Sequence, residues 1–414
     1  MRAPGAERRD GPGVSAAWTL LGGLICLAGL LMLLAVTEKA GNRGLYDFRG
    51  GLFNAGVAIL HGHSPYQPGF LAHQAAIMRA GGIARGETTS TAFSIPVYPA
   101  AANLAAVPLS LLPYGLAGAL YTAISIAAMV AGIWLLGVRD WRCVLLVLVS
   151  WPFIYGLYLG AIGPFLVLGA GIAWRWRDRL WPPAIAIAAI VGAKVFPWPL
   201  GIWLLITRRF KALALTVAIG VVLTLGAWAV IGFDGLAQYP QMLSNLSFLQ
   251  EGRAVSVVSV LLVAGLSPGL ASGIALALTG ALLAGAWRIA RGPDGDRKAF
   301  GLVIIAALTS TPIVWEHYMV LLFVPVALAS PRLSKAWLLP LCTPLVVVGS
   351  SVIIPVSHKL AAHPAETLRS AVPWLLVETL VAARLVLSGH RLPAPRLHPH
   401  LRSRSAPAGT ADLA

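Results

Sequence analysis

Apolar residues in this chain run unbroken over lengths that match a bilayer, and polar residues are confined to the breaks between the runs. The runs 18–36, 116–138 and 335–355 each reach or approach the roughly 20 residues a helix needs to cross the hydrocarbon core. Barrel strands would alternate apolar and polar positions, and these runs do not. The pattern predicts an all-α polytopic membrane protein. A different spacing occurs at 50–60 and 70–80, where the apolar positions fit short amphipathic helices on a membrane surface, within an external segment 37–97 that follows the first helix. Gly81-Gly82 and the stretch 86–91 read as a mobile connection. The stretch 98–112 is apolar but short and stops at Leu112-Pro113-Tyr114, which fits either a re-entrant helix or a complete span. Between Arg179 and Arg208 there are too few residues for two full crossings, and Pro182, Pro183, Lys194, Pro197 and Pro199 interrupt them. This predicts two short helices in a V whose tip lies within the outer leaflet and beside a cavity, because non-helical backbone at that depth must be buried or line one.

Composition supports the membrane assignment: 58% of the 414 residues are hydrophobic and 11% charged, with a mean hydropathy of +0.79. The net charge of +16 does not mark a nucleic-acid binder, since the basic residues form short clusters between apolar runs without an aromatic-interleaved basic face. Those clusters are Arg139/Arg142, Arg175/Arg177/Arg179, Arg208/Arg209/Lys211, Arg288/Arg291/Arg297/Lys298, Arg332/Lys335 and the tail from Arg384. By the positive-inside rule they and both termini are cytoplasmic, which gives about 12 transmembrane helices in a bacterial inner (plasma) membrane. The outward excursions are then 37–97, 156–163, 193–198, 232–255, 312–316 and 356–369, and the active face is the non-cytoplasmic one. Residues 1–390 form the membrane domain, and 391–414 a disordered basic cytoplasmic tail. The basic start before the first run reads as an uncleaved helix, because the run is long for a signal peptide and no small-residue cleavage site stands out. Cys26, Cys143 and Cys342 have no spacing that suggests a disulfide or a metal site. His61-Gly62-His63 lacks an organised third ligand, and no Walker loop, dinucleotide fingerprint, GxSxG or HExxH sequence occurs. We expect no metal and no cofactor.

Topology removes seven of the 15 acids from consideration. Glu38, Asp47, Glu87, Asp234, Glu251, Glu316 and Glu366 remain outside or near the outer boundary, with Glu378 alone inside an apolar span. Asp47 lies in Tyr46-Asp47-Phe48-Arg49, a carboxylate at the bilayer surface with an Arg two residues on; by itself a loop Asp reads first as a helix cap, here before Gly50. Lys194 in Gly192-Ala193-Lys194-Val195-Phe196-Pro197 either snorkels to the interface or binds an anion, since an unpaired ammonium in an apolar stretch costs about 2.5–3.5 kcal/mol on insertion scales. His317, in Trp315-Glu316-His317-Tyr318, belongs either to an aromatic belt or to a phosphate site. Glu378 is either paired with a neighbouring helix or, in a proton-coupled transporter, part of a relay.

In order along the chain, Asp47-Phe48, Gly62-His63-Ser64-Pro65-Tyr66, Val97-Tyr98-Pro99, Lys194-Val195-Phe196-Pro197 followed by Arg208-Arg209, and Trp315-Glu316-His317-Tyr318 resemble the landmarks of glycosyltransferase family 87, within the GT-C superfamily. The resemblance implies a GT-C-like helical bundle and a hexosyltransferase of mannosyltransferase type. It implies a polyprenyl-phosphate-linked sugar donor, a glycan or glycolipid acceptor, and inversion at the anomeric carbon. Asp47 would be the general base; Lys194 and His317, with Arg49, would hold the donor phosphate; Tyr66, Tyr98 and Glu316 would line the substrate pocket. Two positions depart from the family's pattern: Ala100 follows Tyr98-Pro99 where a second Pro is common, and Ala161 follows Gly160 where Gln is common. Ser256 is the nearest remnant of an Asn/Gln-Ser element. A transporter or lipid-linked-sugar flippase is the alternative, but transporters usually carry a repeated half, and none is evident in this sequence.

Overall fold

A computed structural model describes residues 45–67, 98–250, 254–341 and 364–388, and all regular structure among them is helical. The expected first span 18–36, the stretch 70–80, the connection 81–91, most of the run 335–355 and the tail 391–414 lie outside the described residues, as do Glu38, Glu87 and Glu251. The described chain begins with α1 (Tyr46–Phe48), a π-helical turn (Arg49–Phe53) and α2 (Asn54–Leu60), so the 50–60 stretch is helical as its spacing predicts. There follow α3 (Ala100–Ser110), α4 (Tyr114–Leu135), α5 (Trp141–Leu148), α6 (Trp151–Leu159), α7 (Gly163–Arg175), α8 (Trp181–Ala193), α9 (Pro199–Ile206) and α10 (Phe210–Val230). The chain continues through α11 (Tyr239–Gln250), α12 (Val257–Val263), α13 (Pro268–Ile289) and α14 (Gly295–Thr309). It ends with a 3-10 segment (Glu316–Leu322), α15 (Phe323–Ala329), a 3-10 turn (Lys335–Leu338) and α16 (Pro364–Leu387).

Four of these are long and apolar enough to cross a bilayer: α4, α10, α13 and the Thr367–Leu387 part of α16. The pair α5 and α6, bent by 53° at its break, makes a fifth if it is one span. The remaining apolar helices among the described residues are shorter pieces. With 11 residues and Pro108 inside it, α3 is about 16 Å long, roughly half of the hydrocarbon core, so 98–112 is not a complete crossing. The Pro-rich stretch after Arg179 gives two short helices, α8 and α9, joined at 194–198, as its sequence predicts.

The core is centred on α14 and α15, whose residues are buried almost without exception. Trp174 of α7 and Trp203 of α9 both pack against Phe300 of α14, with ring centroids 5.4 and 4.6 Å apart. Helices α4 and α7 pack backbone to backbone: a methyl at Gly171 would stand 2.7 Å from the Gly132 carbonyl oxygen, so a larger residue there would force the helices apart.

Polar contacts sort to two ends. At one end the basic loops meet. Arg209 binds Asp296 through both guanidinium nitrogens at 2.8 and 3.0 Å and reaches Asp178 at 3.1 Å, while Arg177 meets Asp296 at 3.2 Å. Arg297 donates to the Leu328 and Ser388 carbonyls, and Lys298 to the Val386 carbonyl, so cations close the C-terminal ends of α15 and α16, where the helix dipole is negative. Asp140 accepts from Arg142 and from the Leu333 N–H, joining a fourth loop to the 333–337 turn. At the opposite end of α8, about 20 Å away over its 13 residues, several of the segments between the basic loops meet. The Leu45 N–H donates to the Tyr158 carbonyl at 2.7 Å, Ser64 Oγ to the Asp234 carbonyl at 2.8 Å, and the Val255 N–H to the Val314 carbonyl at 2.7 Å. Lys194 joins this end between Tyr98 and Tyr318.

Candidate functional site

Asp47 is held by an unusual piece of backbone. Leu45 adopts φ 60°, a left-handed conformation that a leucine seldom takes, anchored by its hydrogen bond to Tyr158. The wide π-helical turn begins two residues after Asp47; such turns frequently accompany functional positions. Phe48 is fully buried and stacks on Tyr121 at 4.2 Å, and Gly160 (φ +70°) permits this, since a methyl there would stand 2.6 Å from Phe48 Cβ. The Tyr121 hydroxyl in turn donates to the Gly160 carbonyl at 2.9 Å. Asp47 is thereby fixed at the rim of the core, half-buried.

Three other segments bring their polar groups to it. The Tyr98 hydroxyl donates to Asp47 Oδ2 over a long 3.4 Å. Lys194, in extended backbone just past α8, puts its Nζ 4.0 Å from the Tyr318 ring centroid and 4.9 Å from that of Tyr98. Two cation–π contacts offset part of the cost of its burial, each being worth about 0.5–2 kcal/mol. Among the described residues Lys194 forms no ion pair within 4.0 Å, yet it lies within electrostatic reach of both Asp47 and His317. Burial pushes the Asp47 carboxyl above the usual carboxylate range, against the pull of Lys194 and of the Tyr98 hydroxyl. His317 is buried with neither ring nitrogen hydrogen-bonded, its ring against Tyr155 and Tyr318. Buried polar nitrogens are normally satisfied, so an unsatisfied pair beside an unpaired ammonium marks a place where an anion would be welcome.

The remaining expected residues fall into two groups. Glu316 borders the cluster and accepts a short hydrogen bond from Trp151 Nε1. Tyr66 serves as support: fully buried, it donates to the Tyr98 carbonyl and accepts from Asn103 Nδ2 at 2.6 Å, with Trp228 and Tyr239 around its ring. Ser256 caps α12 and donates to the Pro312 carbonyl at 2.7 Å, steadying the strand of chain that leads into Glu316-His317. Arg49 does not join the group; exposed, it stacks 4.8 Å over the Tyr114 ring. Sequence reasoning missed the aromatic residues of α6 (Trp151, Tyr155 and Tyr158) and the part of Tyr318 as a wall for Lys194. Their signal was an i, i+4, i+7 spacing of rings, which a membrane helix also produces for ordinary packing.

The model of glycosyltransferase family 87 matches residues 97–314, more than half of the chain. The chain belongs to glycosyltransferase family 87. Tyr98 and Lys194 lie inside the matched interval of this family-87 protein, whereas Asp47, Tyr66, Glu316 and His317 lie outside it. The chain is also 26% identical over 246 residues to the polyprenol-phosphate-mannose-dependent alpha-(1-2)-phosphatidylinositol pentamannoside mannosyltransferase of Mycolicibacterium smegmatis, an alignment covering 55% of this chain and 59% of that protein. The family-87 chain thus spans less than two thirds of the length of that relative. No solved structure matches it significantly.

Proposed function

We propose that this protein is a membrane hexosyltransferase of mannosyltransferase type that moves a sugar from a polyprenyl-phosphate donor to a glycan or glycolipid acceptor on the non-cytoplasmic face. The observation that carries the proposal is the pairing of a half-buried carboxylate, Asp47, with a half-buried ammonium, Lys194, near enough to feel each other but not in contact. A mere structural ion pair would close to hydrogen-bonding distance; an intervening reacting centre needs the gap.

In the proposed reaction Asp47 takes the proton of the acceptor hydroxyl, whose oxygen attacks the anomeric carbon. The bond from that carbon to the phosphate oxygen breaks, and its electron pair leaves with the polyprenyl phosphate. Lys194 and His317 stabilise the departing anion. The attack inverts the anomeric configuration. The separation of the basic loops from the site along α8 supports a non-cytoplasmic active face under the positive-inside rule. A phosphate role for Arg49 would require it to leave Tyr114, and the cluster around Lys194 does not need it.

The test is to incubate membranes containing the protein with a panel of polyprenyl-phosphate sugars and identify products by mass spectrometry, with the anomeric configuration read by NMR. Transfer that is lost in Asp47→Asn at equal expression is the expected result. Undiminished turnover in that variant would sink the mechanism, and a product of retained configuration would refute the single displacement.

A further inference from the structure

Helix α6 presents an aromatic face that no step above uses. Trp151, Tyr155 and Tyr158 recur at i, i+4 and i+7 and are half-buried, whereas Pro152, Phe153, Ile154 and Gly156 between them are buried. The Trp151 and Tyr155 rings stack, parallel within 6° and with centroids 5.1 Å apart, so that each fixes the other's orientation. The face is about 10 Å long along the helix axis. One end is marked by Glu316, which has the Trp151 indole as its one hydrogen-bond partner among the described residues. The other end meets the segment that carries Asp47: the Tyr46 ring meets that of Tyr158 edge-on at 6.2 Å, and the Leu45 N–H is bonded to the Tyr158 carbonyl. Both carboxylates lie within electrostatic reach of the Tyr155 hydroxyl.

From this arrangement we propose that the Trp151–Tyr155–Tyr158 face is the subsite for the acceptor's sugar, a neutral hexopyranose, laid between Glu316 and Asp47. The proposal rests on the glycosyltransferase reading and adds where the acceptor lies. Aromatic faces are electron-rich and attract the C–H hydrogens of a pyranose ring, while a carboxylate accepts from hydroxyls at up to about four positions. The pair of carboxylates disfavours an anionic sugar here; the phosphate of the donor belongs with Lys194 and His317, the latter bordering the face at Tyr155. A lipid tail is disfavoured for the same reason, since a carboxylate facing hydrocarbon is expensive. The subsite also ends at the residue that must receive the acceptor proton, as it should for the attacking sugar.

The experiment measures binding of methyl α-mannobioside to the full chain in nanodiscs, in parallel with binding of a short polyprenyl phosphate. Tyr155→Leu and Tyr158→Leu should each weaken the disaccharide about three- to tenfold, while Tyr155→Phe stays within about twofold of the parent; polyprenyl phosphate binding is unchanged in Tyr158→Leu and Tyr155→Phe, whereas Tyr155→Leu also removes the ring that stands against His317. In transfer assays Tyr158→Leu should raise the acceptor KM and leave the donor KM alone. Unaltered disaccharide affinity in both Leu variants, or a loss confined to polyprenyl phosphate, overturns the proposal. If the parent transfers no sugar from any donor but its disaccharide binding follows the aromatic face, the transferase reading fails and the subsite stands. If transfer proceeds with acceptor KM unmoved in the Leu variants, the subsite fails alone.

Discussion

The two polar ends of this protein treat charge in opposite ways. At the basic end, ions are matched: Asp296 engages Arg209 twice and Arg177 once, with the Trp203 indole donating to it as well. At the other end, among the described residues, the Asp47 side chain has a single long hydrogen bond, Lys194 rests on aromatic faces, and both nitrogens of His317 lack a partner. The first arrangement is what stability favours, because hydrogen bonds to charged groups are worth about 1.5–3 kcal/mol each. The second gives up such bonds, and a folded protein tolerates that mostly where a ligand or a reaction makes use of it. Substitutions at the basic end should therefore change stability, and substitutions at the other end should change activity.

The sharpest break in that contrast is Asp47→Asn, expected to lower kcat by about 10²–10⁴-fold with thermal unfolding unchanged or slightly delayed. A loss of both fold and activity would move Asp47 into the structural class. The pH profile refines the point. Asp47 must be ionised to act, and its carboxyl lies above the ordinary 3.8, so kcat/KM should fall in acid at a pH higher than an ordinary aspartate would give.

Lys194→Met should cost about 10²-fold in transfer, chiefly through poorer use of the donor, yet leave thermal stability equal or improved, because an unpaired charge is exchanged for an apolar chain of similar length. The variant should also shift the acid limb upward, since the ammonium pulls the Asp47 carboxyl down. An acid limb that does not move would disconnect the two residues.

How much of this was legible beforehand follows from what each signal depends on. The sorting of loops to two ends depends on Arg and Lys, which stand out against apolar runs, and the contacts of Arg209, Arg297 and Lys194 agree with it. Asp47 and Lys194 stood out in the sequence because ionisable residues are rare in such a chain, and the fold brings them within electrostatic reach of each other. The position of Arg49 was not: two residues along a helical turn is a rotation of about 200°, which sends its side chain away from that of Asp47 and onto Tyr114. Tyr66 resembled a pocket residue by motif, but its position is decided by a hydrogen bond to a backbone carbonyl 32 residues away, a contact no local pattern encodes. The aromatic face of α6 was hidden for a third reason, since rings at helical spacing are equally suited to packing, to a lipid belt and to a sugar.

At the basic end, Asp296→Ala should destabilise the protein by about 1–3 kcal/mol, read as a lower thermal midpoint, with kcat essentially unchanged in the folded fraction. Asp140→Asn comes next, at about 0.2–1 kcal/mol, since asparagine can keep the N-cap of α5 but loses the charge that Arg142 and the Leu333 N–H face. Its bond to the Arg142 guanidinium holds the Asp140 carboxyl below its usual 3.8. The contribution is therefore complete at neutral pH and is lost only as the pH falls below that value through the folded-state pKa. A stability difference between parent and variant that persists at pH 2 would show that the amide side chain, not the lost charge, is responsible.

The smallest effect is expected at Glu378, which is also where the transporter alternative is exposed. This residue is 6% exposed in α16, a helix packed against α12, α14, α15 and the 3-10 segment Glu316–Leu322, and among the described residues it forms no ion pair with Lys194. Glu378→Gln keeps the shape and removes the ionisable proton. If the chain transfers sugar as proposed, kcat/KM stays within about twofold, since no transition-state interaction is removed. If instead the bundle carries a solute on a proton gradient, a buried carboxylate in a span is the group the relay needs, and liposome flux would collapse in this variant while Asp47→Asn left it intact. The two substitutions together therefore separate the readings: an enzyme is sensitive at 47 and indifferent at 378, and a proton-coupled carrier is the reverse.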